Sequence, residues 1–194
     1  MTDILEVKIC ETDNEWREIE KLIAKKYLNE FGVRPSPAGH HVIVLRNGVI
    51  VGTSGLEFSC NEGIPLERYF DIDDEWFMGV FKPDIVELTR WASCYPNAGL
   101  ASHLGITRYA FGHNKVFAVL SLKEKQLQHL ELFGSKLTAL SATVKKDIPD
   151  FLKKYYLNWP RPKLFRTYLK ELYNISRQAV LKLKEQGIII RINF

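Results

Sequence analysis

The stretch Ile85-Val86-Glu87-Leu88-Thr89-Arg90-Trp91-Ala92-Ser93 reads as a buried β-strand carrying a glutamate and an arginine where apolar residues would suffice. Charge taken out of water is costly unless it is paired or used. Glu87 and Arg90 stand three apart, and in a regular strand, whose side chains alternate between faces, such a pair points to opposite sides. Two readings follow. Either each charge belongs to an ordinary structural ion pair, or Glu87 is a catalytic carboxylate with Arg90 as a cationic anchor near it.

The chain of 194 residues, 46% hydrophobic and 12% aromatic, is too apolar to stay disordered. It is long enough for one well-cored domain and short for two, so a single unit over residues 1–194 is expected. No apolar run approaches the roughly 20 residues that span a bilayer. Met1-Thr2-Asp3-Ile4-Leu5-Glu6 lacks the basic and apolar regions of a signal peptide, and a cytoplasmic protein is expected. Cys10, Cys60 and Cys94 are widely spaced and odd in number, as reduced thiols are, and none has metal-site spacing, so no metal is expected. Cys94, with no histidine close in sequence, reads as a small buried filler.

Charge is divided along the chain. Residues 1–97 hold 10 Lys/Arg and 17 Asp/Glu, a net −7, whereas residues 98–194 hold 17 and 6, a net +11. Such asymmetry points to an acidic partner for the second half, or to opposite charges meeting across the fold.

Alternation over Glu6–Glu11 predicts a half-buried strand, and Thr12-Asp13-Asn14-Glu15 opens a helix with apolar positions at Trp16, Ile19, Leu22, Ile23 and Tyr27, stopping at Phe31-Gly32. Arg34–Gly39 is a loop by its Pro and Gly content. Asn47-Gly48 between His41–Leu45 and Val49–Leu56 predicts a hairpin. A short helix at Pro65–Phe70 lies in an acidic connection reaching Asp84, ahead of the Ile85–Ser93 strand. Asn97 then caps a helix running to Gly112, Val116–Leu120 is a buried strand, Lys123–Phe133 is a helix stopped by Gly134, and Leu137–Leu140 is a further short strand. From Ile148 the tail is basic and aromatic, with helices over Phe151–Tyr156, Leu164–Leu172 and Ser176–Lys184 and a closing strand at Ile188–Ile192. The order of elements predicts an α/β (α+β) three-layer sandwich around a central mixed sheet, with residues 148–194 as a basic helical extension.

The turn Asn97-Ala98-Gly99-Leu100-Ala101-Ser102 places small residues and free amides at a helix N-terminus, where phosphate binds readily. With this turn directly after the charged strand, the order of elements resembles the GNAT acyltransferase superfamily. The resemblance implies a pantetheine arm lying along Trp91, Ala92 and Ser93, and a phosphate at Asn97, Gly99, Ala101 and Ser102. The superfamily's Arg/Gln-x-x-Gly-x-Gly/Ala loop is replaced by Tyr95-Pro96-Asn97-Ala98-Gly99-Leu100-Ala101, which argues against an ordinary acetyl-CoA enzyme.

A closer resemblance, over roughly residues 40–140, is to the acyl-homoserine-lactone synthases and long-chain N-acyl amino acid synthases, with the thermostable-hemolysin family similar over the same blocks. It is carried by Pro65-Leu66-Glu67-Arg68-Tyr69-Phe70 and Glu87-Leu88-Thr89-Arg90-Trp91. The lactone synthases serve S-adenosylmethionine with an acidic Asp-x-x-Asp block and an arginine in the second hairpin strand. Here Arg34–His41 has no acidic residue and Gly55 or Leu56 stands where the arginine would fall. The resemblance therefore implies an N-acyl amino acid synthase, with the autoinducer-type lactone synthase as the alternative.

In that reading Glu87 is the general base that deprotonates the acceptor amine, and Arg90 pairs near Glu87 or fixes the acceptor's carboxylate. The acyl donor is acyl-ACP or acyl-CoA, and no cofactor is bound permanently. An acyl carrier protein, acidic and helical by family implication, would dock on Lys145, Lys146, Lys153, Lys154, Arg161 and Lys163, with Arg166 beside them. The rival class is a nucleic-acid-binding protein, because Lys153-Lys154-Tyr155-Tyr156 and Trp159-Pro160-Arg161-Pro162-Lys163 interleave cations with aromatics and Tyr168–Val180 resembles a helix-turn-helix. That rival leaves Glu87 and Arg90 unexplained, and no nucleic-acid partner is expected. A non-catalytic module of the same fold is the third reading.

Overall fold

The structure, a computed structural model, describes residues 3–73, 76, 79–132 and 134–194. An eight-stranded mixed sheet carries helices on both faces. In chain order the elements are β1 (Asp3–Ile9), α1 (Asp13–Phe31), β2 (His40–Arg46), β3 (Val49–Phe58), a 3-10 turn (Pro65–Arg68), β4 (Phe70–Ile72), β5 (Ile85–Ser93), α2 (Ala98–Gly112) and β6 (Phe117–Leu122). They continue as α3 (Glu124–Leu132), β7 (Thr138–Ala139), β8 (Ala142–Val144), α4 (Asp150–Leu157), β9 (Lys163–Tyr168), α5 (Leu169–Glu185) and β10 (Ile188–Ile192). The sheet order is β10-β1-β2-β3-β5-β6-β9-β7, and β4 pairs with β8 in a small separate ribbon.

Local chemistry explains most of these bounds. Thr12 and Glu15 form a reciprocal capping box, and Glu15 also accepts from the Glu11 amide, which draws Glu11 away from β1. The strand therefore ends at Ile9, and parallel pairing with β10 from Asp3 onward starts it three residues upstream of the expected start. Gly32, left-handed at φ 68°, closes α1. Asn47 (φ 52°) and Gly48 (φ 76°) make the β2–β3 turn that two positive φ values define. Asn97 departs from expectation: it precedes α2 in a left-handed conformation and its side chain makes no capping bond.

Two cores result. One lies under α2 and α5, where Val86, Leu88, Ala101, Ile106, Leu120, Leu169 and Leu172 meet. The other lies under α1 and α4, where Ile23, Tyr27, Leu66, Phe70, Ile85, Leu152, Tyr155 and Tyr156 meet. Each large apolar side chain so buried contributes about 1.5–3 kcal/mol.

In the C-terminal quarter the helix over Phe151–Tyr156 and the closing strand Ile188–Ile192 stand as expected, and the helix expected over Leu164–Leu172 is corrected. Leu164–Leu172 is split between β9 and α5, β9 pairs antiparallel with β6, and β10 pairs in parallel with β1. Leu164 and Phe165 are buried on opposite cores, the alternation of a strand, and strand pairing overrode the helical reading. The segment resembling a helix-turn-helix lies, from Leu169 onward, in the single helix α5. Of the helix expected at Lys123–Phe133, α3 covers Glu124–Leu132, and Phe133 lies outside the described residues. Cys94, expected as buried filler, is exposed at the end of β5.

Helix α2 packs closely on the sheet through Gly105, where an added Cβ would stand 2.5 Å from Val7 Cγ1 and 3.5 Å from Val42 Cγ2. Gly105→Ala is expected to lower unfolding stability by about 1–3 kcal/mol, read as a fall in the urea midpoint.

Candidate active site

The charged pair is brought together by a break in strand regularity. Along β5 and β3, Ala92 pairs with Thr53 and Thr89 pairs with Gly55, so Ser54 opposes both Arg90 and Trp91. This is a β-bulge, and Arg90 occupies it with φ 55°. Before the bulge, Ile85 faces the α1/α4 core and Val86 and Leu88 face the α2/α5 core. After it the alternation is inverted: Trp91 packs with the α2/α5 core, its ring 5.1 Å from that of His103, and Ala92 joins the α1/α4 core. The extra residue turns the Arg90 guanidinium toward Glu87, and each shifts the other's titration. The expectation that residues three apart face opposite sides holds for a regular strand and fails here.

A left-handed arginine costs roughly 1 kcal/mol and needs fixing. Arg90 Nε donates to the Ser36 carbonyl at 2.8 Å, and Nη1 donates to Thr89 Oγ1 at 2.9 Å. The loop at 34–39 is held a second time by His41, fully buried, whose Nε2 accepts from the Ala38 amide at 2.9 Å. Thr53 Oγ1 donates to Val42 O, so it accepts from His41 Nδ1–H. Burial first, and then the Arg90 charge, push the His41 pKa down to about 3, so the ring is neutral and acts as a tie.

Glu87 is 5% exposed. Burial foremost pushes its pKa up to about 7; Arg90 opposes the rise, and Glu57 on β3 adds to it. It stands at a small cavity of ≈ 20 Å³ shared with Tyr27, Arg90, Ser121, Tyr155 and Tyr156, room for about one water. The Tyr155 hydroxyl donates to Ser121 O at 3.2 Å, while the Ser121 hydroxyl is buried with no hydrogen-bond partner among the described residues. The Pro65–Phe70 block supports this floor from below: Leu66 and Phe70 are buried, and Tyr69 stacks on Tyr156 at 5.0 Å.

Beyond Glu87 the sheet opens. β5 and β6 pair only from Ile85↔Phe117 to Glu87↔Val119, although β6 continues to Leu122 against β9. A cavity of ≈ 290 Å³ adjoins the gap and meets the smaller one at Trp91 and Gln126. Its walls come from both layers, with Lys26 and Glu30 of α1 on one side and Leu100, His103, Ile175 and Ser176 of α2 and α5 on the other.

Of the expected donor-binding residues, Trp91, Ala92, Ser93 and Gly99 line this cavity. Asn97, Ala101 and Ser102 are not in its wall. Ala101 and Ser102 are fully buried, and the Ser102 hydroxyl accepts from Ser54 and donates to Gly99 O, which ties α2 to β3. Of the basic residues, Lys153 pairs with Asp150, Lys145 with Asp71, and Arg161 Nε donates to the last carbonyl of α4, Leu157 O, while Lys146, Lys154 and Lys163 are exposed. Sequence reasoning did not single out Glu57, His41 or Ser121, and it placed Tyr155 only in the nucleic-acid reading. The alternation of Glu57 between Leu56 and Phe58 was the one available signal.

The sequence matches no protein-family model, and no curated protein is similar to it in sequence. The solved structures show the fold: the chain is similar to an acetyltransferase of the GNAT family from Staphylococcus aureus Mu50, at 12% identity and a TM-score of 0.52, over 84% of this chain and 99% of that one. The fold is thus GNAT-like. More specifically, the chain is similar to FeeM, an N-acyl amino acid synthase from uncultured soil microbes, at 14% identity and a TM-score of 0.61, over 88% of this chain and 94% of that one. It is also similar to BjaI, a CoA-dependent acyl-homoserine lactone synthase solved with SAM and isopentyl-CoA, at 10% identity and a TM-score of 0.57, over 98% of this chain and 93% of that one. Among the described residues no helix is long and apolar enough to cross a membrane.

A raised carboxyl pKa stabilises the fold below the unfolded value of 4.5, and that stability is lost as pH rises through about 7. From this group the protein is expected to lose about 3 kcal/mol between pH 4.5 and 8. Glu87→Gln should escape that loss, seen as urea midpoints that converge with the parent's in acid and exceed them at about pH 8.

Proposed function

We propose that this protein is an N-acyltransferase that moves a long fatty acyl chain from a thioester of acyl carrier protein or coenzyme A to the amine of an amino acid, in the cytoplasm. The observation that carries the reading is Glu87, a buried carboxyl with a pKa near neutrality, standing where β5 and β6 part. A base with that affinity takes a proton from an ammonium group at neutral pH and leaves it nucleophilic. The structural likeness to an N-acyl amino acid synthase and to a lactone synthase supports the same chemistry.

In this reading the donor's pantetheine arm lies along Trp91–Ser93, on the β5 edge that β6 vacates, and its phosphate meets the first turn of α2 at Gly99. The acyl tail fills the space against Leu100, Leu130 and Ile175. The amine, relieved of one proton by Glu87, attacks the thioester carbonyl; the C–N bond forms, the C–S bond breaks, and the thiolate leaves with the second amine proton. Strand amides of β5 meet the oxyanion, and the unpartnered Ser121 hydroxyl donates to the departing sulfur. Arg90 has Nε and one Nη1 hydrogen committed, and its remaining N–H groups hold the acceptor's carboxylate.

Glu87→Gln is expected to lower acyl transfer by about 10²–10⁴-fold with folding retained. In the parent, kcat/KM should rise with pH through about 7. Unchanged activity in the variant would remove Glu87 from the mechanism. A lactone synthase using S-adenosylmethionine remains the alternative; mass spectrometry of lipids from producing cells separates N-acyl amino acids from acyl lactones.

For the donor, the basic surface of Lys145, Lys146, Lys153, Lys154, Arg161 and Lys163 supports docking of an acidic carrier protein. Reversing Lys153 and Lys154 to glutamate should raise KM for an acyl-carrier donor on the order of ten-fold, more at low salt, and leave KM for acyl-CoA unchanged. Equal effects on both donors would count against the dock.

A further inference from the structure

Glu57 stands directly across from Glu87 in the β3–β5 register, beyond the bulge, so the two carboxylates share one face of the sheet. Neighbouring residues bear this out: Leu56 and Phe58 pack with the α2/α5 core on the other face. Like charges directly opposite on adjacent strands destabilise a sheet, and an apolar or neutral residue at position 57 would relieve the repulsion. Glu57 is half-buried, its carboxylate lying beside Gly39 in the loop that Arg90 holds, whereas Glu87 is sealed.

We propose that Glu57 is a positioning residue for the acyl-transfer base: its charge, set across the strand pair, keeps on Glu87 the proton taken from the amine. The inference rests on Glu87 acting as base. The proton moves from the amine nitrogen to the Glu87 carboxylate and passes to solvent after the product has left, with no other bond changed. The raised pKa of Glu87 agrees with this arrangement, since Glu57 acts in the same direction as burial. The other groups that bear on Glu87 are Arg90 and Thr89 on β5 itself, Arg68 on the 3-10 turn, Tyr27 on α1, and Tyr155 and Tyr156 on α4. Both arginines oppose the rise, which leaves Glu57 as the charged side chain in this set that favours it.

The test is a carboxyl-carbon NMR titration of Glu87 in the full chain, run beside the pH profile of kcat/KM, for the parent, Glu57→Gln, Glu57→Asp and Glu57→Lys. Removing the charge should move the Glu87 midpoint down by about one pH unit, the acid limb of the profile following it, while aspartate restores most of the parent value and lysine moves it further. A Glu57→Gln protein that loses activity uniformly with an unmoved midpoint would assign Glu57 a purely structural place and overturn the proposal. If Glu57→Gln does not fold, aspartate against lysine makes the same comparison, and equal midpoints in those two also overturn it. A midpoint that moves in a parent protein showing no acyl transfer from either thioester would uphold the coupling and reject the acyltransferase reading.

Discussion

The site depends on one extra residue in β5. Without the bulge at Arg90, the strand would present Trp91 to the α1/α4 core and Ala92 to the other, and the guanidinium would lie across the sheet from Glu87. With it, a cation and a carboxyl are held on one face and a large indole is delivered to the opposite layer beside His103. The cost of a left-handed arginine is met by two hydrogen bonds, one of which pins the loop over the site. Geometry that a single inserted residue creates is more exacting than geometry carried by composition, because shifting it by one position would invert every side chain beyond it.

The parting of β5 from β6 has a different origin. Parallel pairing lasts for three residues and ends where Glu87 meets Val119, after which α3, α2 and α5 line the opened space in place of a strand. A sheet edge inside a protein ordinarily carries unsatisfied amides, and it persists where something else is meant to meet them. The elements that shape the gap come from both ends of the chain, α1 contributing Lys26 and Glu30 and α5 contributing Ile175 and Ser176.

The sequence revealed the parts governed by local rules. Capping chemistry at Thr12 and Glu15, the Asn47-Gly48 turn and the apolar run Ile85–Ser93 each stand where short-range physics puts them. What it concealed was long-range. Leu164–Tyr168 reads equally as helix or strand until β6 is there to pair with it, and the fold treats it as a strand. The pairing of Glu57 with Glu87, 30 positions apart, is a matter of register, which no window of either strand contains. The hydroxyl of Ser102 looked like a ligand-binding group by its place in a helix start and is instead consumed in holding that helix to β3.

The wall that α5 lends to the larger cavity has a consequence for how the protein comes into being. Trp91 and Ile175 border the same space but are separated by most of a domain's worth of chain, and β10 must still find β1 from the opposite end. Contacts of such separation form late, because the loop between them must close first. A nascent chain that has already completed its hairpin and its charged strand therefore holds an open, wet trough along β5 where the larger cavity will be, and walls it off only once α5 has left the ribosome.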